Sequence, residues 1–395
     1  MEKVLQAMLK DGTLITLANY SRKEIEHFRA KKTFLCPTCK SPVIIKAGKQ
    51  VIPHFAHLRK DDCPKSFGEG PEHQLGKIIL YNWLLKQKLP VSLEKYLPEI
   101  NQIPDLMLTI KKRKIAIEYQ RAIFSKEEFI HRTLGYQKEK IIPIWILGEN
   151  HLHPYSSISF KITPLMKYFI HKFSRNCKST LYFFSPKDRQ FIFLQDLYFT
   201  SNQRALARKT VVPLGQANFL HFFRYNSFQI TSLYRFWQKE KSRFRIKPMN
   251  YVQELDRKWL EWLYARRTHR EYLPSIVNLP VRNQLLMKSP LENWQSRIIV
   301  DVLHPLQIGD RFSIRQCFYL LKNDLIHQKY YPLYSFTEHP VVEYLSLLEE
   351  LGFVRKSENE SYVKLKSIEF NKNIEDAIIN DKLLINRLMK RSKYK

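Results

Sequence analysis

Apolar residues recur at helical spacing between Glu72 and Gln87, at positions 75, 78, 79, 80, 83, 84 and 85. One face of a helix repeats every three to four residues, so this pattern predicts a single long helix. The segment 66–71, directly before it, contains glycine and proline and is typical of a break between structural units. We therefore expect a new domain to begin near residue 66.

Three apolar runs after this helix have the length and composition of strands. They are Pro90–Leu97, Asp105–Ile110 and Ile115–Gln120. Only the basic turn Lys111–Lys114 separates the last two runs, which predicts a β-hairpin.

The chain then returns to helix and strand. Ser125 stands three residues before Glu128, the spacing of a capping box, and predicts a helix start. Ile141–Leu147 is apolar throughout and predicts a buried strand. The order helix, hairpin, helix, strand indicates a mixed α/β core.

The segments on either side of this core have different patterns. Residues 1–65 predict two short strands, Val4–Leu9 and Leu14–Leu17, and a helix from Ser21, before a cysteine-rich segment. We interpret them as a small N-terminal module.

Beyond residue 150 the pattern predicts a second hairpin, from Leu181–Phe184 and Phe191–Leu194, and mainly helical periods from Asn218 onward. The last residues, 389–395, form a basic tail. The chain is thus predicted to contain three domains, at residues 1–65, 66–175 and 176–395.

The overall composition indicates a folded protein that binds a polyanion. Among 395 residues, 44% are hydrophobic and 26% charged, both near the averages for globular proteins. Lys and Arg number 66 against 37 Asp and Glu, a net charge of +29. Nucleic acid is the partner that we expect, because neutralised phosphates release condensed counterions. A membrane surface is the alternative.

No run reaches the ~20 apolar residues of a membrane-spanning helix. The N-terminal residues Met1–Val4 lack the apolar stretch of a signal peptide. We therefore expect a cytoplasmic protein without a membrane span.

Three of the five cysteines, Cys36, Cys39 and Cys63, lie close together in sequence with His54 and His57. A CxxC turn can place two thiolates on one tetrahedral Zn²⁺, which needs a second pair of ligands. We predict a structural zinc site of Cys36, Cys39, His57 and Cys63, with His54 as the alternative fourth ligand. A redox CxxC motif and a set of buried, inert thiols are the other interpretations.

Carboxylates stand at the ends of the hairpin strands. Asp105 opens one strand and Glu118 nearly closes the next, so the hairpin can bring them together. Two close carboxylates repel unless a cation lies between them, and Mg²⁺ accepts such ligands together with water and phosphate oxygens. Two solvated acids at strand ends are the alternative.

The first turn of the long helix adds Glu72 and His73, and Lys77 follows one turn later. Glu72 is either a helix-capping acid or a third acid of the metal site. Lys77 or His73 is then available to contact phosphate.

These residues together resemble a known nuclease pattern. A helix with Glu-His-x3-Lys, then Pro-Asp, then Glu-x-Gln is similar to the PD-(D/E)XK nuclease core, in the variant with Gln at the usual Lys position. More narrowly, Cys36–Cys39, His54–His57, Ile115–Gln120, Arg132-Thr133 with Tyr136, and Trp145–Gly148 resemble the competence protein CoiA family. Gly70 stands where that family has Ser.

The resemblance implies a restriction-endonuclease-like α/β core between a zinc module and a helical C-terminal domain. It implies that Asp105 and Glu118 ligate Mg²⁺ or Mn²⁺ and that Gln120 stands where Lys orients water. Glu72 is then the helix acid. A neutral amide cannot supply positive charge to the transition state, and Lys77 is the candidate for that role.

The resemblance also implies a function, the processing of imported DNA for recombination in natural transformation. We expect single-stranded DNA and competence and recombination proteins as partners. Two functions remain open at this stage: a metal-dependent nuclease, and an inactive nuclease fold that binds single-stranded DNA and loads it. A zinc-containing transcription regulator lacks the expected motifs.

Basic residues near the acidic strand complete the prediction. Arg121, Arg132 and His73 are candidate nucleic-acid contacts, whereas we interpret the turn Lys111–Lys114 as solvated charges. In the C-terminal half, aromatic and basic residues alternate, for example around Trp237. We interpret the aromatic rings as core and the arginines as the layer that faces DNA.

Overall fold

The structure of the protein, a computed structural model, describes residues 3–48, 53–58, 63, 70–122, 124–246, 254–358 and 360–391. The predicted break at 66–71 and the end of the basic tail lie largely outside these residues.

The chain divides into two compact units. The first contains Met1–His153, Thr180–Leu194 and Lys209–Arg224, and the second contains Pro154–Ser179, Gln195–Arg208 and Tyr225–Lys395. The division into three domains at residues 65 and 175 stays a prediction.

The described residues form helices and strands that we number in chain order. The helices are α1 (Arg22–Lys31), α2 (Pro71–Lys86), α3 (Lys126–Lys138), α4 (Ile230–Ile246), α5 (Glu254–Ala265), α6 (Leu291–Arg297), which continues as a π-helix (Ile298–Leu303), α7 (Ile314–Leu320), α8 (Pro340–Glu350) and α9 (Ile374–Arg391).

The strands are β1 (Lys3–Val4), β2 (Gln6–Met8), β3 (Leu14–Thr16), β4 (Phe34–Leu35), β5 (Pro42–Lys46), β6 (His54–His57), β7 (Val91–Leu93), β8 (Leu106–Ile110), β9 (Arg113–Gln120), β10 (Ile141–Gly148), β11 (His153–Pro154), β12 (Ser159–Lys161), β13 (Thr180–Ser185), β14 (Gln190–Ser201), β15 (Arg204–Pro213), β16 (Arg311–Ser313), β17 (Val354–Lys356) and β18 (Ser361–Lys364).

The N-terminal residues of the first unit form an antiparallel sheet with strand order β1-β6-β5-β4-β2-β3. Helix α1 begins as predicted, because Ser21 and Glu24 cap each other's backbone N–H groups in a capping box. Its Ile25 is buried in a small core with Phe34 and Phe55. A core of this size needs further stabilisation, which a metal site between its loops can supply.

The central sheet of the first unit confirms the predicted α/β core. Its strands follow the order β7-β8-β9-β10-β13-β14. The hairpin β8–β9 is antiparallel and pairs Leu106 with Ile117, so Asp105 and Glu118 stand at neighbouring strand ends. Strands β9 and β10 are parallel and pair Glu118 with Trp145.

Helices α2 and α3 cover opposite faces of this sheet. Side chains alternate between faces along a strand, so Glu118 and Tyr119 of β9 point in opposite directions. Trp145, which lies beside Glu118, donates a hydrogen bond from Nε1 to Thr133 of α3 at 3.2 Å. On the other face, helix α2 approaches the Tyr119 ring so closely that a Cβ at Gly76 would overlap it.

The predicted run Pro90–Leu97 is shorter than expected, since only Val91–Leu93 forms a strand. Glu94 has a φ of 49°, which ends the extended conformation. Leu97 makes only an isolated bridge with Gln102.

The second predicted hairpin is confirmed by the adjacent strands β13 and β14. Strand β14 is longer than the predicted run Phe191–Leu194.

The second unit contains the predicted helices, α4–α9, around a large apolar core. The sequence pattern did not predict its three-stranded sheet, ordered β16-β18-β17. These strands are three or four residues long, too short to show a clear alternation of apolar and polar residues.

Among the residues that the structure describes, no helix combines the length and the apolar character needed to cross a membrane.

Candidate functional site

A cluster of three thiols and one imidazole lies in the N-terminal part of the first unit. The ligand atoms of Cys36, Cys39, His57 and Cys63 are all within 4.8 Å of one another. Cys36 Sγ lies 3.9 Å from Cys63 Sγ, and Cys39 Sγ lies 3.3 Å from His57 Nε2. Two sulfurs bound ~2.3 Å from a tetrahedral ion are separated by about 3.8 Å, so the cluster could hold a metal ion such as zinc.

The local backbone explains how the CxxC turn forms. Cys36 donates its N–H to the Ser41 carbonyl at 2.8 Å, and Lys40 donates to the Cys36 carbonyl at 3.0 Å, with a φ of 61° at Lys40. Burial by itself would raise the pKa of Cys39, but hydrogen bonds with Ser41 and contacts with His57 and Cys36 lower it to about 6. A thiolate, the form that binds metal, is therefore favoured at this position.

Strand β6 decides between the two candidate histidines. His57 is its last residue and pairs with Val43, whereas His54 is its first residue and pairs with Lys46. Residues three apart on a strand point to opposite faces, so only one of the two can face the thiols. The cluster contains His57.

A second polar group surrounds Asp105 at the start of strand β8. Asp105 is buried and accepts a hydrogen bond from the Tyr119 N–H at 2.8 Å. Its carboxylate lies 3.4 Å from Lys77 Nζ and 3.4 Å from His73 Nε2, both from helix α2. The predicted helix residues and the predicted strand acid are thus in direct contact.

The charge of Asp105 is stabilised by these neighbours. Burial alone would raise its pKa, but the charges of Lys77 and His73 and the Tyr119 N–H outweigh burial and hold the pKa well below its usual range. Asp105 is therefore ionised at neutral pH.

Glu118 is buried on the opposite face of the sheet, towards helix α3. Arg132 and the Tyr136 hydroxyl both donate hydrogen bonds to its Oε1. Burial, and to a smaller extent the charge of Asp105, raises the pKa of Glu118 to about 7, although Arg132 and Tyr136 oppose the shift. The upward shift of this pKa is mainly the cost of burying a carboxylate, which Arg132 offsets only in part.

Glu94 is a buried acid of this site that the sequence analysis missed. Its Oε1 accepts a hydrogen bond from Lys77 Nζ at 2.8 Å, and its Oε2 lies 3.4 Å from the N–H of Leu5. Its backbone N–H donates to the Asp105 carbonyl at 3.0 Å. The signal in the sequence was a carboxylate directly after Leu93, at the end of a strand-like segment, much as Glu118 directly follows the apolar residues Ile115–Ile117.

The charges of this group nearly balance. Three carboxylates, those of Glu94, Asp105 and Glu118, stand against Lys77, Arg132 and, when protonated, His73. The buried group therefore carries little net charge, as burial of charged side chains requires. Carboxylates such as Asp105 and Glu118 are ligands that Mg²⁺ accepts together with water and phosphate oxygens.

The remaining predicted site residues lie at the edge of this group. Glu72 is exposed and forms an ion pair with Arg121, which also approaches Glu149 Oε1 at 3.7 Å. The Gln120 amide donates to the Ala122 carbonyl at 2.5 Å. Arg121 and Glu72, predicted as separate contacts for DNA and metal, are therefore partners of each other in this structure.

The aromatic rings of the second unit are mostly core, as predicted. Trp237 and Trp259 are buried, although Tyr264 is 85% exposed. The interpretation of the arginines as an outer layer is wrong for Arg245. Its guanidinium is buried and forms two hydrogen bonds with Asp381, at 3.0 and 3.1 Å, because a buried charge needs a partner.

Comparison with known families covers most of the chain. Residues 17–66 match the family "Competence protein CoiA, N-terminal domain", and residues 69–227 match "Competence protein CoiA, nuclease-like domain". Residues 233–378 match "Competence protein CoiA, C-terminal domain". The candidate acids and Lys77 all lie within the nuclease-like segment.

A curated relative supports the same assignment, the "Competence protein CoiA" of Bacillus subtilis (strain 168). It is 30% identical over 339 residues, which are 84% of this chain and 90% of the relative. No solved structure matches the chain. The protein belongs to the competence protein CoiA family and contains the nuclease-like domain of that family.

Proposed function

We propose that this protein is a metal-dependent DNA nuclease of the PD-(D/E)XK type that processes imported DNA in the cytoplasm before recombination. The observation that carries the proposal is the buried group in which Asp105 and Glu118 stand at neighbouring strand ends. Lys77 Nζ lies 3.4 Å from Asp105. Buried acids beside a lysine are typical of hydrolytic sites, and the nuclease-like family match supports this reading.

The residues have distinct roles in this proposal. Asp105 and Glu118 hold one or two Mg²⁺ or Mn²⁺ ions. When bound, such an ion polarises the phosphate and lowers the pKa of a water molecule. Lys77 supplies the positive charge that Gln120 lacks, and Arg132 orients Glu118.

The zinc cluster has a structural role in this proposal. Four protein ligands leave no open position on the ion, so Zn²⁺ at Cys36, Cys39, His57 and Cys63 stabilises the N-terminal residues and does not catalyse. Single-stranded DNA is the proposed substrate, with His73, Arg121 and Arg132 near the phosphates. Competence and recombination proteins are the proposed partners.

A second function is favoured by the partners of Gln120 and Glu118. The Gln120 amide is bound to a backbone carbonyl, and Glu118 is held by Arg132 and Tyr136. An inactive nuclease fold that binds single-stranded DNA and loads it for recombination would tolerate both features. The two functions differ in whether the acids bind a divalent metal.

The test is cleavage of labelled single-stranded and duplex DNA with and without Mn²⁺. Asp105→Ala and Glu118→Ala should each reduce cleavage by about 10²-fold or more. Equal cleavage by both variants and the wild type would overturn the nuclease proposal. Calorimetry with Mg²⁺ or Mn²⁺ separates the alternatives, since DNA binding without metal binding supports the loading function.

Lys77 and Gln120 provide a sharper comparison within the same assay. Lys77→Met should abolish most cleavage, because it removes the ammonium beside Asp105. Gln120→Ala should reduce cleavage less, by about tenfold at most, because an amide contributes no charge. The opposite ranking of the two variants would show that Lys77 does not replace the usual lysine.

A further inference from the structure

A cleft of about 540 Å³ lies in the second unit between helix α9 and the segments that flank strands β17 and β18. It is far in sequence from the acids of the nuclease-like segment, and all its lining residues belong to the second unit. Neither the zinc cluster nor the proposed metal site uses it. The cleft therefore needs an explanation of its own.

Large apolar side chains are exposed around this cleft. Ile308 is 64% exposed, Leu383 is 61% exposed and Leu365 is 37% exposed, and all three line it. Apolar side chains that gather at one concave surface are typical of sites where another molecule docks. The cleft therefore offers an apolar contact surface for a partner.

Two cationic side chains stand beside these apolar residues. Lys366 Nζ donates to the Leu351 carbonyl at 3.3 Å and lies 5.5 Å from the Phe353 ring centroid, which fixes its position. Gly352, with a φ of 75°, turns the chain between Leu351 and Phe353, the two residues that Lys366 contacts. Arg387 is exposed on helix α9, one turn after Leu383.

Helix α9 is held firmly in place under this surface. Asp381, on its buried face, pairs with Arg245 at 3.0 Å and with Lys241 at 3.3 Å. All three side chains are buried, so the helix cannot rotate without separating charges in the core. A surface that is rigid before binding loses less entropy when a ligand arrives.

We propose that this cleft binds an acidic segment of a partner protein that also carries aliphatic or aromatic side chains. Carboxylates of the segment would pair with Lys366 and Arg387, and its apolar side chains would cover Leu365 and Leu383. Among the described residues that line the cleft, the only acidic one is Glu369. The net charge of +29 further favours an acidic partner.

The observations disfavour the other occupants. Single-stranded nucleic acid is held by several stacking rings in basic grooves, whereas Phe353 is the one aromatic ring among the described residues that line the cleft. The basic tail 389–395 would be repelled by Arg387 and Lys366. A second copy of the chain carries the same net charge of +29, so two copies would repel each other.

The test uses fluorescein-labelled eight-residue peptides in which aspartate alternates with Leu or Phe, and the full-length protein. Fluorescence anisotropy should detect binding of the acidic peptides with a Kd below about 1 mM. Peptides with Lys or Ser in place of Asp, or Ser in place of the apolar residues, should bind at least about tenfold more weakly.

Variants on one helix locate the binding surface. Leu383→Ser and Arg387→Glu, both in the cleft, should each weaken binding about tenfold or more. The matched controls are Ile379→Ser and Lys382→Glu, which lie on exposed positions of the same helix outside the lining and should leave the Kd within about twofold. Circular dichroism melting checks that each variant is folded.

Several outcomes would overturn the proposal. The first is no binding of any acidic peptide, and the second is equal weakening by the cleft and control variants. Displacement of the peptide by a short oligothymidylate that itself loses affinity in Leu383→Ser would assign the cleft to nucleic acid. A change of oligomeric state in Leu383→Ser, measured by sedimentation, would assign it to a second copy. None of these outcomes depends on nuclease activity.

Discussion

Several charged side chains of this protein are buried beside an oppositely charged partner. Lys77 is the clearest case. It is almost fully buried in helix α2 and lies between Glu94 at 2.8 Å and Asp105 at 3.4 Å. Removal of either partner of a buried pair leaves an uncompensated charge, so these positions are sensitive to substitution. The same residues form the proposed active site.

At Gly76, the space beside the Tyr119 ring rather than charge restricts which residue fits. A Cβ at this position would overlap the Tyr119 ring, so Gly76→Ala should lower the free energy of unfolding by about 2 kcal/mol. Urea unfolding measures the change. The control is Gly215→Ala, which meets no atom within 4 Å and should change stability by less than about 0.5 kcal/mol. Equal stability of Gly76→Ala and the wild type would show that helix α2 can move away from the sheet.

His171 should make the stability of the protein depend on pH. Burial lowers the pKa of His171 to about 3, although a hydrogen bond with the Phe169 backbone opposes the shift. The unfolded chain takes up a proton near the ordinary histidine pKa of 6.5, whereas the folded chain does not. Stability is therefore fully present above pH 6.5 and is lost as pH falls, by up to about 1.4 kcal/mol per pH unit.

The comparison of wild type with His171→Gln tests this prediction. Urea unfolding at pH 7, 6 and 5 should show a steeper loss of stability for the wild type, since glutamine does not titrate. Other histidines contribute equally to both proteins and cancel in the difference. Parallel pH profiles of the two proteins would contradict a neutral, buried His171.

At the scale of elements, the site exists because two helices lie on opposite faces of one hairpin. Helix α2 brings His73 and Lys77 to Asp105, while helix α3 brings Arg132 and Tyr136 to Glu118. Asp105 reaches the α2 face from the bend before strand β8. Each acid thus receives its cationic partner from a different helix. These ion pairs hold the two carboxylates at the strand ends.

The folding of the turn between strands β4 and β5, and of the end of strand β6, should depend on bound zinc. The wild type is expected to contain one Zn²⁺ per chain, and Cys39→Ser should lose it, as measured by plasma mass spectrometry. The matched control is Cys177→Ser, since Cys177 lies outside the cluster.

Chelation of this zinc should expose the N-terminal residues to limited proteolysis, because their core is small. Added Zn²⁺ should restore protection. A wild type that contains no zinc, or a Cys39→Ser variant that retains it, would contradict the structural site.

At the scale of the whole molecule, positive charge is the dominant property. The chain carries a net charge of +29, and several of its cations, such as Lys77, Lys241 and Arg245, are buried in pairs with acids. The surface therefore owes its charge to the remaining lysines and arginines. Such a surface attracts polyanions from a distance and is sensitive to salt.

Binding of single-stranded DNA should weaken steeply with salt. If about five phosphates are neutralised, the affinity should fall roughly hundredfold between about 50 and 200 mM salt. Fluorescence anisotropy with a labelled oligothymidylate measures this slope. A peptide nucleic acid of the same sequence, which has a neutral backbone, serves as the control and should not bind. An affinity that is independent of salt would contradict an electrostatic mode of binding.

The sequence by itself determined the local features of this protein. Helical spacing predicted α2, and the capping pair Ser125 and Glu128 predicted the start of α3. The basic segment Lys111–Lys114 predicted the hairpin, although only Lys111 and Lys112 form its turn and Arg113 and Lys114 already pair within the sheet. These features depend on neighbours a few residues apart, so a single sequence contains them. The short spacing of Cys36, Cys39 and Cys63 likewise predicted that these cysteines form one zinc site.

Only the tertiary structure decided which distant side chains meet. The choice of His57 over His54 depends on the register of strand β6 with β5, and the role of Glu94 depends on a left-handed backbone that no periodicity reveals. The burial of Arg245 depends on Asp381, 136 residues later in the chain. Contacts of this kind are set by packing of whole elements, and no local pattern in the sequence encodes them.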